Sequence, residues 1–470
     1  MPTLLPPRID GVSPWLPWLA AISLFMETLD ATILNTALPS MAASLGESPL
    51  VMQSVLIAYV LTLAVLVPLS GWVADRFGTR RAFLAAIVLF TLGSILCAAS
   101  QTLPQMIACR IVQGVGGALM LPTGRLAVLK SYPDRTSRME ALNFIALPGL
   151  IGPVLGPSLG GLIVEYSSWH WIFLVNVPVG IVGFVLAWRH MPQLREPAAR
   201  MDVPGYLLFA SGVLLLSYAL EMFGEHRLSI AATLAMAACG IASIAGYIAY
   251  ARQHKAPLFP LAIFRNRIFS IGILGNLLVR LGSGGLPLLL PLFLQLAFLY
   301  SPAHAGLLLM PIAGAALLVK PAVVPLIQRF GNYRVLMLSN IAVGAAILAL
   351  AFTTPQTSNL YFVLVLLAFG AAISLQFSTL NASALSNLPA EYASAGNMLL
   401  STAMQLALSM GLTFAIVVLS LFLGQDFHPD QGKTFAAYHH TFITLALMTW
   451  ASGLVFLLIR KPARQTTRPA

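Results

Sequence analysis

The sequence consists of a series of apolar runs, each about as long as a membrane is thick. A helix needs about 20 apolar residues to cross the hydrocarbon core of a bilayer. Of the 470 residues, 58% are hydrophobic and 9% are charged, whereas a soluble domain carries roughly 25% charged residues. The chain is therefore predicted to be an all-α, multi-pass membrane protein, with the lipid bilayer as its main surroundings.

Fourteen of these runs are predicted to be membrane spans. They lie at 15–39, 51–73, 82–101, 104–130, 139–164, 171–191, 204–223, 229–251, 269–296, 304–328, 333–353, 359–385, 396–424 and 438–460. Because the number of spans is even, both termini are expected on the same side of the membrane.

The basic residues predict which side that is. Of the 26 Lys and Arg residues, twenty lie in segments on the side of the termini, and Arg227 and Lys433 lie on the other side. Cytoplasmic loops carry an excess of Lys and Arg, so both termini are predicted to be cytoplasmic. The same bias accounts for the net charge of +11, and no nucleic-acid partner is expected.

The sequence contains no motif for chemistry on a substrate. It has no GxxxxGK[ST] phosphate loop, no HExxH zinc motif and no GxSxG elbow. Its three cysteines lie in apolar segments without metal-ligand spacing. We therefore expect neither an enzyme nor a bound metal or cofactor, and any uphill transport would draw on an ion gradient such as that of protons.

The first span carries two carboxyl groups, Glu27 and Asp30, one helical turn apart and on one face. A charged residue at mid-membrane costs about 2.5–3.5 kcal/mol, so it is rarely there without a function. Glu27 is nearer the midplane and is a candidate for reversible proton binding in a substrate cavity. The alternative is an acid that a buried cation neutralises permanently.

Asp30 and Arg110 are predicted to lie at the same depth. Asp30 is about nine residues from the outer end of its span and Arg110 about six from the outer end of the fourth, at ~1.5 Å per residue. The two spans run in opposite directions, so an ion pair is sterically feasible. It is either a static buried pair, kept because breaking it leaves a bare charge, or part of a proton relay.

Three further cations lie within spans: Arg125, Arg280 and Lys320. Arg125 is expected to be structural or to extend to the membrane surface. Arg280, near mid-membrane, and Lys320 give the cavity a balanced to positive charge, which favours substrates with anionic groups. Amide side chains of the second half are candidates for substrate contacts or for ordinary interhelical hydrogen bonds: Asn276, Gln295, Gln376 and Asn381.

A short pattern occurs twice, as DRFGTRR at 75–81 and as QRFGNYR at 328–334. Each copy follows the second helix of a six-helix unit, which predicts two homologous halves, as in many secondary transporters. The predicted organisation is a first half at 1–191 and a second half at 269–470. The linker 192–268 between them contains the inserted spans 204–223 and 229–251.

Five segments resemble motifs of a known family. Residues 71–81 (GWVADRFGTRR), 110–118 (RIVQGVGGA) and 149–161 (GLIGPVLGPSLGG) resemble the cytoplasmic loop, fourth-helix and fifth-helix motifs of the major facilitator superfamily. Residues 29–39 (LDATILNTALP) and 169–180 (WHWIFLVNVPVG) are similar to its fourteen-span drug:proton antiporter branch.

This resemblance implies a transporter that works by alternating access, with Arg110 taking part in proton coupling. It implies a cytoplasmic gate at Gly71, Asp75, Arg76, Gly78, Arg80 and Arg81. It also implies an interface where the halves rock, at Gly152, Pro153, Gly156 and Pro157. Two departures matter: Gln328 replaces the aspartate in the second loop, and Glu27 adds a second acid to the first span.

The predicted function is proton-coupled efflux of small organic compounds across a bacterial inner membrane, by a monomer. Asp30, Arg110 and Glu27 would handle the proton. Glu27, Arg280, Lys320 and the four amides above would contact the substrate. Two alternatives stay open at this point: export of an anionic metabolite, such as a carboxylate or its metal chelate, and an uncoupled uniporter, channel or sensor.

Overall fold

A computed structural model describes residues 12–132, 134–196, 201–225, 229–386, 388–389, 392–424 and 431–459, and within them it contains helices and no strand. The α-helices are α1 Leu16–Leu45, α2 Gln53–Phe77, α3 Thr79–Ala98, α4 Leu103–Ser131, α5 Arg135–Tyr166, α6 Trp171–Leu174, α7 Asn176–His190, α8 Val203–Glu225, α9 Ile230–Gln253, α10 Arg267–Ser283, α11 Leu286–Leu296, α12 Pro302–Phe330, α13 Asn332–Leu350, α14 Asn359–Ser386, α15 Ala393–Leu423 and α16 Gln431–Ser452. Short 3-10 helices lie at Leu261–Arg265 and Gly453–Ile459.

Every predicted span coincides with helical structure. Within the described residues, 13 helices are long and apolar enough to cross a membrane, and the continuous helix α5 covers the remaining predicted span, 139–164. The all-α, multi-pass prediction is confirmed. Arg227 and both chain ends, on which the predicted orientation partly rests, lie outside the described residues.

The repeated loop adopts the same turn in both copies. Gly78 has φ 89° and ψ 148°, and Gly331 has φ 78° and ψ 154°, a region that glycine adopts far more readily than residues with a Cβ. Helix packing repeats as well: α3 and α2 pack on α4 as α13 and α12 pack on α14. The exact boundaries of the halves stay a prediction.

The two halves share one apolar core at their predicted outer ends. This core contains Ile33 to Met41 of α1, most of α11, and the outer parts of α12, α14, α15 and α16. Towards the predicted inner ends, one cluster belongs largely to the first half and a small one around Val279 and Phe456 belongs to the second. A further cluster beside the inserted helices joins Val65 of α2 to Leu399 and Leu400 of α15. The described chain is therefore closed on its outer side.

Close contacts at the seam between α5 and α12 hold this outer closure. A Cβ at Gly161 would lie 2.1 Å from the Pro302 carbonyl oxygen, and one at Gly306 would lie 2.1 Å from that of Pro157, so only glycine allows this approach. Glu165 adds a polar clasp, because its Oε2 accepts a hydrogen bond of 2.8 Å from the Ala303 amide in the first turn of α12.

The inserted helices α8 and α9 pack against each other, and α8 also contacts α15 and α2. Since α2 belongs to the first half and α15 to the second, α8 lies beside a seam between the halves. The inserted pair is thus in contact with both halves rather than with one.

The Glu165 clasp predicts a pH-dependent outer closure. Hydrogen bonds from Ser301 and from the Ala303 amide lower the pKa of Glu165, so the carboxylate stabilises the closed state above its ordinary value of 4.5 and loses this effect as the pH falls. We expect Glu165→Gln to reduce the closed population at pH 7. Double electron–electron resonance between spin labels at Gln101 and Phe352, in a cysteine-free background, measures this population.

Glu47→Gln is the matched control, because Glu47 is a carboxyl on the same side without a contact across the seam. The wild type should keep its closed population from pH 7 down to about pH 5 and lose it below. A distance distribution that Glu165→Gln leaves unchanged at pH 7 would contradict the clasp.

Candidate functional site

Asp30 lies at the centre of a buried polar network in the first half. Arg110 Nη1 donates to Asp30 Oδ2 at 2.6 Å, and Gln113 Nε2 and Asn176 Nδ2 donate to Asp30 Oδ1 at 2.8 and 3.1 Å. Ser94 Oγ accepts from both amides. Helices α1, α3, α4 and α7 therefore meet at one carboxylate that is 1% exposed.

Arg110 is fully enclosed by aromatic and polar groups. Its guanidinium lies 4.3 Å from the centre of the Tyr59 ring and 5.9 Å from that of Phe173. Its Nε donates to the Val55 carbonyl at 3.3 Å, whereas Nη2 has no hydrogen-bond partner among the described residues. The predicted Asp30–Arg110 pair is present, and one donor of the arginine is left free for a second arrangement.

Glu27 has a different environment from Asp30, although it is one turn away. It is partly accessible, and within the described residues it accepts no hydrogen bond and forms no ion pair. Its main electrostatic partner of opposite charge is Arg125, and Asp30 acts on it with like charge. Protonation of Glu27 would therefore break no hydrogen bond or ion pair among the described residues.

Arg280 and Lys320 flank one helix of the second half. The Arg280 guanidinium lies 4.2 Å from the centre of the Phe377 ring, and Lys320 Nζ donates to the neighbouring Ser378 Oγ at 2.9 Å. Arg280 Nε is buried without a hydrogen-bond partner in the described chain. Both cations thus lie at the same level of α14, and Lys320 is more accessible than Arg280.

The ninth span is interrupted beside Arg280. Helix α10 ends at Ser283 and α11 begins at Leu286, and the glycines at 284 and 285 lie at the break. Gly411 of α15 packs against the Arg280 carbonyl, where a Cβ would approach to 2.1 Å. The break is slight, because the Gly284 amide donates to the Arg280 carbonyl at 2.7 Å and both glycines keep right-handed helical dihedral angles.

The predicted amide contacts are engaged within the protein. Asn276 and Gln376 are fully buried; Asn276 donates to Gly272 and Asn381, and Gln376 donates to Asn340. Gln295 donates to the Thr36 carbonyl at 3.0 Å and so joins the halves at their outer ends. In this conformation Asn276, Gln376 and Gln295 make the interhelical hydrogen bonds that were the alternative to substrate contacts, and Gln295 and Asn381 stay partly accessible.

The predicted gate loop is bound to its own half and to the start of the linker. Lys130 Nζ contacts Asp75 Oδ1 at 2.8 Å and Glu196 at 3.0 Å, and the Arg80 guanidinium donates to the Trp188 carbonyl. Gly78 lies against the Gln193 amide, which also accepts from the backbone of Arg81. Arg76 forms no ion pair among the described residues, and the gating role of Gly71 and Arg76 stays a prediction.

The predicted rocking interface divides into two faces of α5. Gly152 and Gly156 face α1 of the same half, where a Cβ would lie 2.3 Å from Thr28 Oγ1 and 2.0 Å from Thr32 Oγ1. Pro157 faces the second half through its contact with Gly306. Pro153 lies within the same helix between these contacts. Only part of the predicted set therefore touches the other half.

Sequence reasoning missed three members of the network: Gln113, Asn176 and Ser94. Gln113 follows Arg110 by three residues and so shares its helix face, which was a usable signal. Asn176 and Ser94 are single polar residues in apolar spans, and the sequence does not show which partner they meet. Arg125 was assigned a structural role, although its main partner is Glu27.

Comparisons with known proteins agree with this geometry. The model of the Major Facilitator Superfamily matches residues 20–412 and 272–470. The chain is 45% identical over 453 residues, 96% of both chains, to a Salmonella dublin protein named "Putative multidrug resistance protein MdtD". It is 44% identical to the protein of the same name from Escherichia coli, again over 96% of both chains.

A solved structure shows the same fold. A POT family transporter in complex with 5-aminolevulinic acid superposes with a TM-score of 0.71 at 16% identity, over 97% of this chain and 98% of that chain. Together with the repeated helix packing and the Asp30–Arg110 network, these matches show that the chain belongs to the major facilitator superfamily and is a transporter rather than an enzyme.

Proposed function

We propose that the protein is a proton-coupled antiporter that exports small organic compounds with an anionic group across a bacterial inner membrane, with both termini in the cytoplasm. The observation that carries this proposal is the pair of unlike carboxyls in α1. Asp30 is bound by three donors, whereas Glu27 is partly accessible and without a hydrogen bond. One carboxyl can exchange protons freely, and the other can do so only if the network rearranges.

The two carboxyls give a route for coupling. A proton that reaches Glu27 from the cavity removes the charge that faces Arg125, and it relieves the repulsion between Glu27 and Asp30. Protonation of Asp30 requires Arg110 to give up its ion pair. A buried arginine without a carboxylate is costly, so Arg110 would then turn to a new acceptor, and this change would shift α4 against α1.

The substrate class follows from the charge of the second half. The sequence has no Asp or Glu between Glu225 and Glu391, so no carboxylate of that stretch can neutralise Arg280 or Lys320. The free Nε of Arg280 beside the helix break is a ready donor to a carboxylate or phosphate. The same observation favours an anionic cellular metabolite as the second candidate substrate, alongside a drug.

Asp30→Asn tests the coupling role of the network. The asparagine retains an oxygen for Gln113 and Asn176 but cannot neutralise Arg110, so we expect a folded protein whose transport no longer responds to an imposed pH gradient. The measurement is substrate flux in proteoliposomes with and without that gradient. Asp134→Asn is the matched control and should keep its coupling, because Asp134 only caps the start of α5, where it accepts from the Ser137 amide, and asparagine can do the same.

Loss of the buried pair can also lower stability, by about 3–5 kcal/mol. Substrate binding and the unfolding temperature in detergent are therefore measured on the same sample, and only a variant that still binds substrate is scored. Full pH-dependent coupling in Asp30→Asn would remove Asp30 from the mechanism.

Glu27→Gln tests the second carboxyl separately. Because Glu27 makes no hydrogen bond in the described chain, the substitution should leave the fold intact and abolish the proton release that substrate addition causes in an unbuffered detergent solution. A pH indicator dye records this release. Glu47→Gln should behave as the wild type, and an unchanged proton signal in Glu27→Gln would show that this carboxyl carries no coupled proton.

Arg280→Gln tests the anionic substrate class. Loss of one charged hydrogen bond costs roughly 1.5–3 kcal/mol, so the affinity for an organic carboxylate should fall on the order of 10- to 100-fold. Affinity for a lipophilic cation of similar size should stay the same or rise. Isothermal titration with both ligands makes the comparison, and Arg329→Gln on the surface is the control. Equal affinities of wild type and Arg280→Gln for the carboxylate would exclude Arg280 as its contact.

A further inference from the structure

A groove of about 820 Å³ lies beside the inserted helices. It forms where they meet the connector, residues 254–266, which leads from α9 to α10 of the second half. Its apolar wall comes from α8, α9 and α15, including Phe209, Ile244, Ile248 and Leu399. Its other wall is the connector, which carries Phe264 and Arg265, and Arg252 at the end of α9 closes one side. The groove is separate from the Asp30 network and from the Arg280 site.

The connector wall has a fixed conformation. The Tyr247 hydroxyl accepts a hydrogen bond of 2.8 Å from the Phe259 amide. Asp202 accepts from the Leu258 amide at 2.9 Å and from the Tyr250 hydroxyl at 2.8 Å. These bonds tie residues 258–259 to α9 and to the start of α8, so the groove is a preformed feature of the fold.

Among the described residues, Arg252 and Arg265 form no ion pair with a carboxylate. The sequence around them is also poor in acids, since no Asp or Glu occurs between Glu225 and Glu391. Asp202, the carboxylate bound to the connector, is 8% exposed and already holds hydrogen-bond donors. The charges of Arg252 and Arg265 are therefore left for an anion from outside the protein.

The groove also has the polarity of a site at the edge of a bilayer. Arg252 lies in the last turn of α9, at the predicted cytoplasmic surface, and Ile248 and Ile244 follow one and two turns deeper into the span. Ile248 is 38% and Phe264 is 40% exposed. Basic groups at the surface and apolar groups below them match a molecule with an anionic head and a hydrocarbon tail.

We propose that this groove binds one anionic phospholipid of the cytoplasmic leaflet, with its phosphate at Arg252 and Arg265 and its acyl chain along α9. The lipid would contact α9, the connector and Leu399 of α15 at once. It would thereby fasten the inserted pair to the second half, and its removal would loosen that contact without touching the proton network.

Native mass spectrometry of the purified full chain tests this site. The protein is titrated with phosphatidylglycerol, with phosphatidylcholine of the same acyl chains, or with inorganic phosphate. One phosphatidylglycerol should bind with higher affinity than phosphatidylcholine and raise the unfolding temperature, whereas inorganic phosphate should do neither. Stabilisation by inorganic phosphate alone would show an ion site and overturn the lipid assignment.

The double variant Arg252→Gln/Arg265→Gln should lose this preference, with affinity falling roughly fivefold for each arginine removed. The control, Lys255→Gln/Arg267→Gln, removes the same charge from an exposed residue of the connector and from the exposed first residue of α10, neither of which lines the groove. It should retain the wild-type affinity. Equal losses in both double variants would indicate general attraction of the connector to anionic lipid, and the groove would then not be a site.

Discussion

The buried ion pair between Asp30 and Arg110 is the interaction on which the first half depends. It joins α1 to α4, and through Gln113, Asn176 and Ser94 it also fixes α7 and α3. Two opposite charges in a dry interior cost free energy unless each finds its partner and further hydrogen bonds. Asp30 has a full set of donors, but Arg110 Nη2 has none in the described chain. The network therefore stabilises the first half, yet one donor of Arg110 is without a partner. A side chain that changes partners during transport would need such a donor.

The second half has a similar arrangement without charge. Gln376 of α14 donates to Asn340 of α13, and Asn340 donates to the Thr449 carbonyl of α16. These helices correspond by their packing to α4, α3 and α7 of the first half. A neutral network holds helices together but cannot bind or release a proton near neutral pH. In the proposed mechanism the first half would therefore bind the proton, and the second half holds Arg280 and Lys320, which form no ion pair among the described residues.

Much of this arrangement could be predicted from the sequence, because a membrane restricts the choices. Backbone N–H and C=O groups in lipid must form hydrogen bonds within helices, so the apolar runs predict the spans. A charged residue in a span is costly, and this cost identified Asp30 and Arg110 as candidates. Neutral polar residues carry no such signal. Asn276 and Gln295 were candidates for substrate contacts or for interhelical hydrogen bonds, and in the structure they donate to Asn381 and to the Thr36 carbonyl of other helices. Arg125 and Glu27 lie far apart in sequence, so only the tertiary structure brings their charges to bear on each other.

The contacts that close the outer side limit which contacts can form on the inner side. Gly161 and Gly306 bring α5 and α12 into backbone contact at the outer end, whereas Asp75 at the inner end is bound to Lys130 of its own half. A carboxylate held by a lysine of its own half can join the second half only after that pair separates. Because two rigid halves rocking about one site cannot be tightly packed at both ends, separating Asp75 from Lys130 and opening the α5–α12 seam would belong to the same movement. Helix α1 packs on α5 at the outer seam, and α4 carries Lys130 at the inner end. The charge state of the Asp30 network, which joins α1 to α4, would therefore affect whether the outer or the inner end is closed.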